Sequence, residues 1–415
     1  VRAAAGETGR ELELEVERVA HGGHCVARHE GRVVFVRHTL PGERVRAVVT
    51  GQGGGGRFLR ADAVEVLRAA PGRVERPCPY AGPGRCGGCD WQHADPVTQR
   101  QLKAAVVREQ LQRLAGLDLD VVVEPVPGDR DGLRWRTRVE FAVDAGGRAG
   151  LRRHRSHDVV PLEDCLIATE DVVGTGVLRR TWSGERSVDV VAPSVGEPVV
   201  VPVPSGERSA PTVRERVVVN RPDGPWQGEL EVAARGFWQV HPGAAATFVA
   251  AVLDGLEPAP GERAVDLYSG VGLFAVALSD LLGPDGAVLA VEGDRTAVRH
   301  ARRNVAGRPG APVEVRQGRV DRVLRSLVRQ GITADLVVLD PPRTGAGRDV
   351  VRDVAALRPR RVAYVACDPA ALARDLGHAG AEGYRVVSVR AFDAFPMTHH
   401  VECVAVLERV ADRPV

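Results

Sequence analysis

The stretch Ala363–Asp375, AYVACDPAALARD, ends an apolar run on a lone cysteine and then opens a helix through Asp-Pro. Cys367 therefore stands at the mouth of a strand, the edge at which open α/β sheets bind ligands. A second apolar run ends at Asp340-Pro341-Pro342-Arg343, so Asp340 and Cys367 hold the same position on successive strands. A thiolate in that place can add to C6 of a uracil ring, which makes C5 an enolate-like carbon able to accept a methyl group. Such covalent catalysis splits one hard step into easier ones. The helix that begins at Asp368-Pro369-Ala370 is expected to favour the thiolate through its dipole. A buried structural cysteine is the alternative. The C5 proton must then leave to a base. FPMTHHVECVAVLER carries His399, His400 and Glu402 at the start of a final strand, and spacing does not choose among them.

A cofactor position lies upstream. RAVDLYSGVGLFAVAL predicts a strand to about Asp266, a Gly270-x-Gly272 turn and a helix from about Leu273. Glycines serve where backbone turns sharply and comes close to a ligand. A second strand, AVLAVEGD, ends in Glu292, about twenty residues on, where a carboxylate meets ribose hydroxyls. With Ala275 the loop satisfies G-x-G-x-x-A, so it fits a nucleoside-type cofactor but does not separate a dinucleotide from S-adenosylmethionine.

These groups need a scaffold. After residue 236 strands and helices alternate to the end, the pattern of a doubly wound, Rossmann-like α/β domain. Residues 11–17, ELELEVE, alternate strictly and predict a half-buried strand. With RVVFVRH, RVRAVVT and ADAVEVL they make about five short strands in some 65 residues, an OB-like barrel of the kind that binds nucleic acid. Between residues 20 and 60 seven arginines stand against two acidic side chains. A helix is predicted over DPVTQRQLKAAVVREQLQRLAG. In LRWRTRVEF, Leu133, Trp135, Thr137, Val139 and Phe141 alternate with Arg134, Arg136 and Arg138, a strand whose basic face could follow phosphates. Residues 183–235 read as β-structure with turns. The division is thus 1–67 barrel, 68–235 β-rich central domain, 236–415 α/β domain.

Composition sets outer bounds. The hydrophobic fraction of 44% is that of a soluble globular chain. There is neither a run of membrane-spanning length nor a secretory apolar core, so a cytoplasmic location without membrane attachment is expected. Net charge is +2, and Lys103 is the single lysine, every other cation being arginine. Codon bias accounts for that, although guanidinium also suits phosphate and base edges. The seven cysteines are Cys25, Cys78, Cys86, Cys89, Cys165, Cys367 and Cys403. An odd number in a reducing compartment points to metal binding or catalysis rather than disulfides.

Taken together, DLYSGVG, DPPR, YVACDPAALARDL and HHVECVAVLER resemble the RNA uracil-C5 methyltransferases, which make 5-methyluridine, through the whole C-terminal half and in the same order. The resemblance implies Cys367 as nucleophile and Glu402 as the base. It implies an S-adenosylmethionine site lined by Gln239, Tyr268, Glu292 and Asp340. The N-terminal barrel resembles a TRAM domain. CPYAGPGRCGGCDWQH with LEDC resembles the iron–sulfur segment of the ribosomal branch, implying Cys78, Cys86, Cys89 and Cys165 as ligands of a [4Fe–4S] cluster; spacing alone also suits zinc. The chain differs from that pattern at His241, Leu273, Arg319 and Asp368, and seven residues separate Cys78 from Cys86. A monomeric enzyme acting on RNA is expected, ribosomal RNA ahead of transfer RNA. The rivals are a non-catalytic RNA-binding or ribosome-assembly factor, an amine methyltransferase and a dehydrogenase. The first has no use for Cys367 with Glu402, the second is opposed by Arg343 where an aromatic belongs, and the third leaves the thiol unexplained.

Overall fold

A computed structural model describes residues 7–203, 210–222 and 224–410. The first six residues of the expected barrel span and the last five of the expected α/β span lie outside the described residues. The barrel is closed by β1 (Glu11–Ala20), β2 (His24–His29), β3 (Arg32–Arg37), β4 (Arg44–Gly53) and β5 (Phe58–Arg68). The alternation in β1 is real: Leu12, Leu14 and Val16 point inward and the glutamates outward. Most of the basic excess is neutralised in place. Arg28, Arg32, Arg37, Arg44 and Arg46 pair with Glu17, Glu7, Asp90, Glu13 and Glu65. Apart from the largely buried Arg37–Asp90 pair, these are solvent-accessible pairs that are worth little and that phosphates can displace.

Helix α1 (Pro96–Gln110), capped by Asp95, joins the barrel to the rest. Leu102 and Val106 pack into the barrel core, while Ala104 and Val107 pack with the C-terminal sheet. The short β6 (Val123–Pro125) pairs with that sheet's edge. Residues within the expected 68–235 domain thus build part of the C-terminal unit.

A five-stranded antiparallel sheet follows, made of β7 (Arg138–Val143), β8 (Ala149–Arg152), β9 (Val159–Pro161), β10 (Ser187–Val191) and β11 (Val199–Val203), with α2 (Glu170–Gly174) beside it. The expected row of phosphate-tracking arginines is not there. Arg134 has φ +55, which breaks the strand, and forks onto Asp164 at 2.6 Å. Arg138 is buried against Glu215 at 2.8 Å. A hairpin, β12 (Thr212–Val219) with β13 (Trp226–Ala233), leads on.

The remaining chain is α3 (Ala244–Leu256), β14 (Arg263–Leu267), α4 (Leu273–Leu282), β15 (Ala287–Glu292), α5 (Arg295–Val305), β16 (Val313–Gln317), α6 (Val320–Arg329), β17 (Leu336–Leu339), α7 (Arg348–Ala356), β18 (Arg361–Ala366), α8 (Pro369–Ala381), β19 (Tyr384–Asp393) and β20 (Glu402–Arg409). The sheet order is β16-β15-β14-β17-β18-β20-β19-β6. Its first five strands are parallel, and β20 runs against both neighbours. Strand β17, Leu-Val-Val-Leu, is apolar throughout because both faces are covered. Helices α3, α4 and α5 pack on one face and α1, α6, α7 and α8 on the other. Strand order reverses between β14 and β17, which opens a crevice at their carboxyl ends. Among the described residues no helix is long and apolar enough to cross a membrane.

Candidate active site

The glycine loop follows β14. Gly270 and Gly272 have φ +54 and +91, a conformation that a Cβ would strain. Glu292, the last residue of β15, reaches back: its Oε2 accepts from Gly270 N at 2.9 Å and its Oε1 from Asp294 N at 2.7 Å. Asp266 Oδ2 accepts from Ala275 N at 2.8 Å in the first turn of α4. Asp266 Oδ1 and Ser269 Oγ are buried with no partner, as groups awaiting a polar ligand are. A nucleoside-type cofactor fits this cradle. Asp266 was visible in the sequence only as a strand end. Burial, with Asp340 and Glu292 nearby, holds its carboxyl well above the usual range.

Tyr268 follows β14 with φ +61 and is half-buried. Asp340 follows β17, its N–H donating to Leu267 O at 3.3 Å. Burial pushes the Asp340 carboxyl up to about 7. Gln239 is half-buried in the loop before α3, and Phe237, two residues earlier, is 75% exposed. Sequence reasoning passed over Phe237, although an aromatic beside a candidate cofactor residue was a signal.

The expected nucleophile and base come from adjacent strands. Strands β18 and β20 are antiparallel with Ala366 opposite Cys403. One step beyond that pair, forward from Ala366 and back from Cys403, come Cys367 and Glu402, at the same sheet edge as Asp340. Glu402 is only 5% exposed. Burial first, and Asp340 second, holds its carboxyl well above the ordinary value, while Arg343 pulls it down. Cys367 differs from expectation. Burial, then Glu402 and Asp340, push its thiol up to about 12, and Arg343 is the charge that opposes them. Desolvation at the base of the crevice outweighs the helix dipole, whose effect is a fraction of a kcal/mol to about 2.

The two histidines separate. His399 Nδ1 lies 2.6 Å from Asp90 Oδ2, engaged with the segment after Cys89. Burial, His399 and Arg343 lower His400 to about 3, so it is neutral and weakly basic.

Cys78, Cys86, Cys89 and Cys165 are free thiols beside the central core. Cys89 lies within electrostatic reach of the other three, and burial raises it, as it does Cys86, which sits at about 11. Cys89 Sγ accepts from Gln92 Nε2 at 3.3 Å, and Cys86 Sγ from Gly88 N at 3.4 Å. Among the described residues no group of three or more His, Cys, Asp or Glu is gathered to hold a metal ion. The donor set therefore suits a four-thiolate centre in kind, and the thiols would have to draw together around it.

Comparison with known proteins agrees with this geometry. Residues 236–410 match the tRNA (Uracil-5-)-methyltransferase family and residues 6–64 the TRAM domain. An RNA methyltransferase of Streptomyces avermitilis is 53% identical, over 97% of this chain and 99% of its own length. The 23S rRNA (uracil(1939)-C(5))-methyltransferase of Pseudomonas putida is 32% identical over 96% of this chain and 94% of its own. The crystal structure of Pyrococcus abyssi tRNA (uracil-54, C5)-methyltransferase, in complex with S-adenosyl-L-homocysteine, superposes with a TM-score of 0.66 at 22% identity. That superposition covers 95% of this chain and all of the other, and shows a shared fold. The chain belongs to the RNA uracil-C5 methyltransferase family, as an RNA methyltransferase carrying an N-terminal TRAM domain.

Proposed function

We propose that the enzyme methylates C5 of a uridine in 23S rRNA by covalent catalysis, with Cys367 as nucleophile and Glu402 as base. The observation that carries this reading is the β18–β20 register, which sets the thiol across from a buried carboxylate. S-adenosylmethionine, held along Gly270–Gly272 with Glu292, Tyr268, Asp340 and Gln239 around it, supplies the methyl group. Cys367 gives up its proton to solvent and its thiolate bonds to C6, sending the C5=C6 electrons towards the C4 oxygen. C5 then takes the methyl group, and the donor's S–CH3 bond breaks to leave S-adenosylhomocysteine. Glu402 removes the remaining C5 proton, the double bond re-forms, the S–C6 bond breaks and the thiolate is expelled. A carboxylate with a raised pKa is a stronger base, which suits Glu402 to this step. His400 is too weakly basic, and His399 is already engaged by Asp90.

Arg343 gives the reading its electrostatics, being the nearby charge that favours the ionised form of both Cys367 and Glu402. Ribosomal RNA is favoured by the Pseudomonas putida relative, which aligns along nearly its whole length. We place a [4Fe–4S] cluster on Cys78, Cys86, Cys89 and Cys165 in a structural role, and no step of the reaction uses it.

The test is to incubate the protein with labelled S-adenosylmethionine and separated ribosomal and transfer RNA, then locate the label by fragment mass spectrometry. Label on C5 of a 23S rRNA uridine is expected. Label in transfer RNA would move the substrate, and label on an exocyclic amine would overturn the chemistry.

A further inference from the structure

The turn between β1 and β2 is seated on the strand ends that carry the proposed reacting pair. His21 Nε2 lies 3.0 Å from Asp368 Oδ2. Asp368 follows Cys367 directly and caps α8, its Oδ1 accepting from Ala371 N at 2.8 Å. Gly23, with φ +81, abuts the loop before Glu402: a Cβ there would lie 2.9 Å from the His399 Cβ. The barrel backbone therefore comes as close to this edge as a chain without a side chain can.

One carboxylate thus does two things. Its first oxygen satisfies an N–H of α8, a favourable cap. Asp368 is also the chain neighbour of the proposed nucleophile, and a negative group near a thiol opposes its ionisation. The second oxygen is met by an imidazole from a separate domain.

We propose that His21 is a positioning residue for Cys367: the barrel delivers an imidazolium that neutralises Asp368, so that α8 keeps its charged cap without penalising the thiolate. The charged groups facing His21 are Asp368 and Arg374 of α8 and Glu109 of α1, the last also held by Arg18 of β1 at 2.9 Å. The bond to Asp368 raises the titration of His21 above its usual value, and His21 in turn keeps Asp368 below its own. The bond to Asp368 therefore favours the imidazolium, which is lost as pH rises through that raised value. Above it, the Asp368 charge is uncompensated.

The proposal rests on Cys367 as nucleophile, and its test reads the thiol directly. Iodoacetamide alkylation of the Cys367 peptide is followed by mass spectrometry from about pH 6 to about pH 10, a range that spans the histidine titration. On the acid side of the His21 titration, His21→Ala should slow alkylation by about threefold or more, the size of effect a lost neighbouring charge produces. His21→Ala/Asp368→Asn should restore the wild-type rate, because asparagine keeps the cap and removes the charge. Asp368→Asn alone should react at least as fast as wild type. In methylation, kcat should follow the same order while KM for RNA barely moves. Wild-type alkylation in His21→Ala, or no recovery in the double variant, would overturn the proposal and leave His21 a mere latch. Methylation that survives Cys367→Ala would defeat the nucleophile assignment while leaving the alkylation result standing.

Discussion

Replacing Lys103 with methionine should destabilise the C-terminal sheet and loosen the loop that leads to Glu402. The only lysine in the chain has its side chain fully buried, and that of its partner Asp393 is 4% exposed. Lys103 Nζ donates to Asp393 Oδ1 at 2.5 Å and to Phe395 O at 3.0 Å. One helical turn earlier, Gln99 Oε1 accepts from Met397 N at 2.7 Å. Helix α1 thus pins the first half of the segment between β19 and β20. Removing the ammonium leaves Asp393 buried and unpaired, a loss of about 3–5 kcal/mol. With a urea slope of about 2–3 kcal/mol/M, the unfolding midpoint of this unit should fall by about 1–2 M. Lys103→Met/Asp393→Leu should recover most of that, since an apolar pair of similar volume replaces a buried ion pair at little cost. Methylation, measured where Lys103→Met is still folded, should fall further than the folded fraction does. A single variant within about 1 kcal/mol of wild type, or a double variant no better than the single, would refute the reasoning.

Other consequences follow from the same site. Arg343→Met removes the charge that favours ionised Cys367 and Glu402, so the acidic limb of the kcat/KM profile should move to higher pH; an unmoved limb would remove Arg343 from the electrostatics. Anaerobically purified protein should be brown, with iron and sulfide in about equal amounts, and Cys86→Ser should harm folding or RNA binding more than chemistry; a colourless protein with one tightly bound zinc would contradict the cluster. Phe237→Ala should weaken RNA binding by about 1–3 kcal/mol if the exposed ring stacks a base, with S-adenosylmethionine affinity unchanged, as filter binding and calorimetry would report.

Local signals in the sequence were dependable where the physics is local. The alternation of Leu12, Leu14 and Val16, the Gly270–Gly272 turn and the strand ends at Asp340 and Cys367 all appear as read. Glu402 could be named, though only the antiparallel register brings it opposite the thiol. Readings failed where a distant residue decides. Arg134 and Arg138 look like a basic strand face until Asp164 and Glu215 come in from elsewhere. Lys103 looks like an accident of composition until Asp393 meets it. The Cys367 thiol was expected to be favoured as thiolate from its place before a helix. The opposing effect, burial beside Glu402 and Asp340, exists only in three dimensions. His21 and Asp368 sit at opposite ends of the chain, and no spacing rule connects them.

The central claim is that thiol and carboxylate act at different steps on the same ring, and a single trapping measurement separates them. Glu402→Gln is incubated with labelled S-adenosylmethionine and substrate RNA, then run on denaturing electrophoresis beside Cys367→Ala. Addition and methylation proceed without the base, but the C5 proton stays and the thiolate cannot leave. Glu402→Gln should therefore accumulate a protein–RNA adduct that already carries the labelled methyl group, and Cys367→Ala should give neither adduct nor product. Normal turnover by Glu402→Gln, or methylation of uridine C5 by Cys367→Ala, would contradict the account.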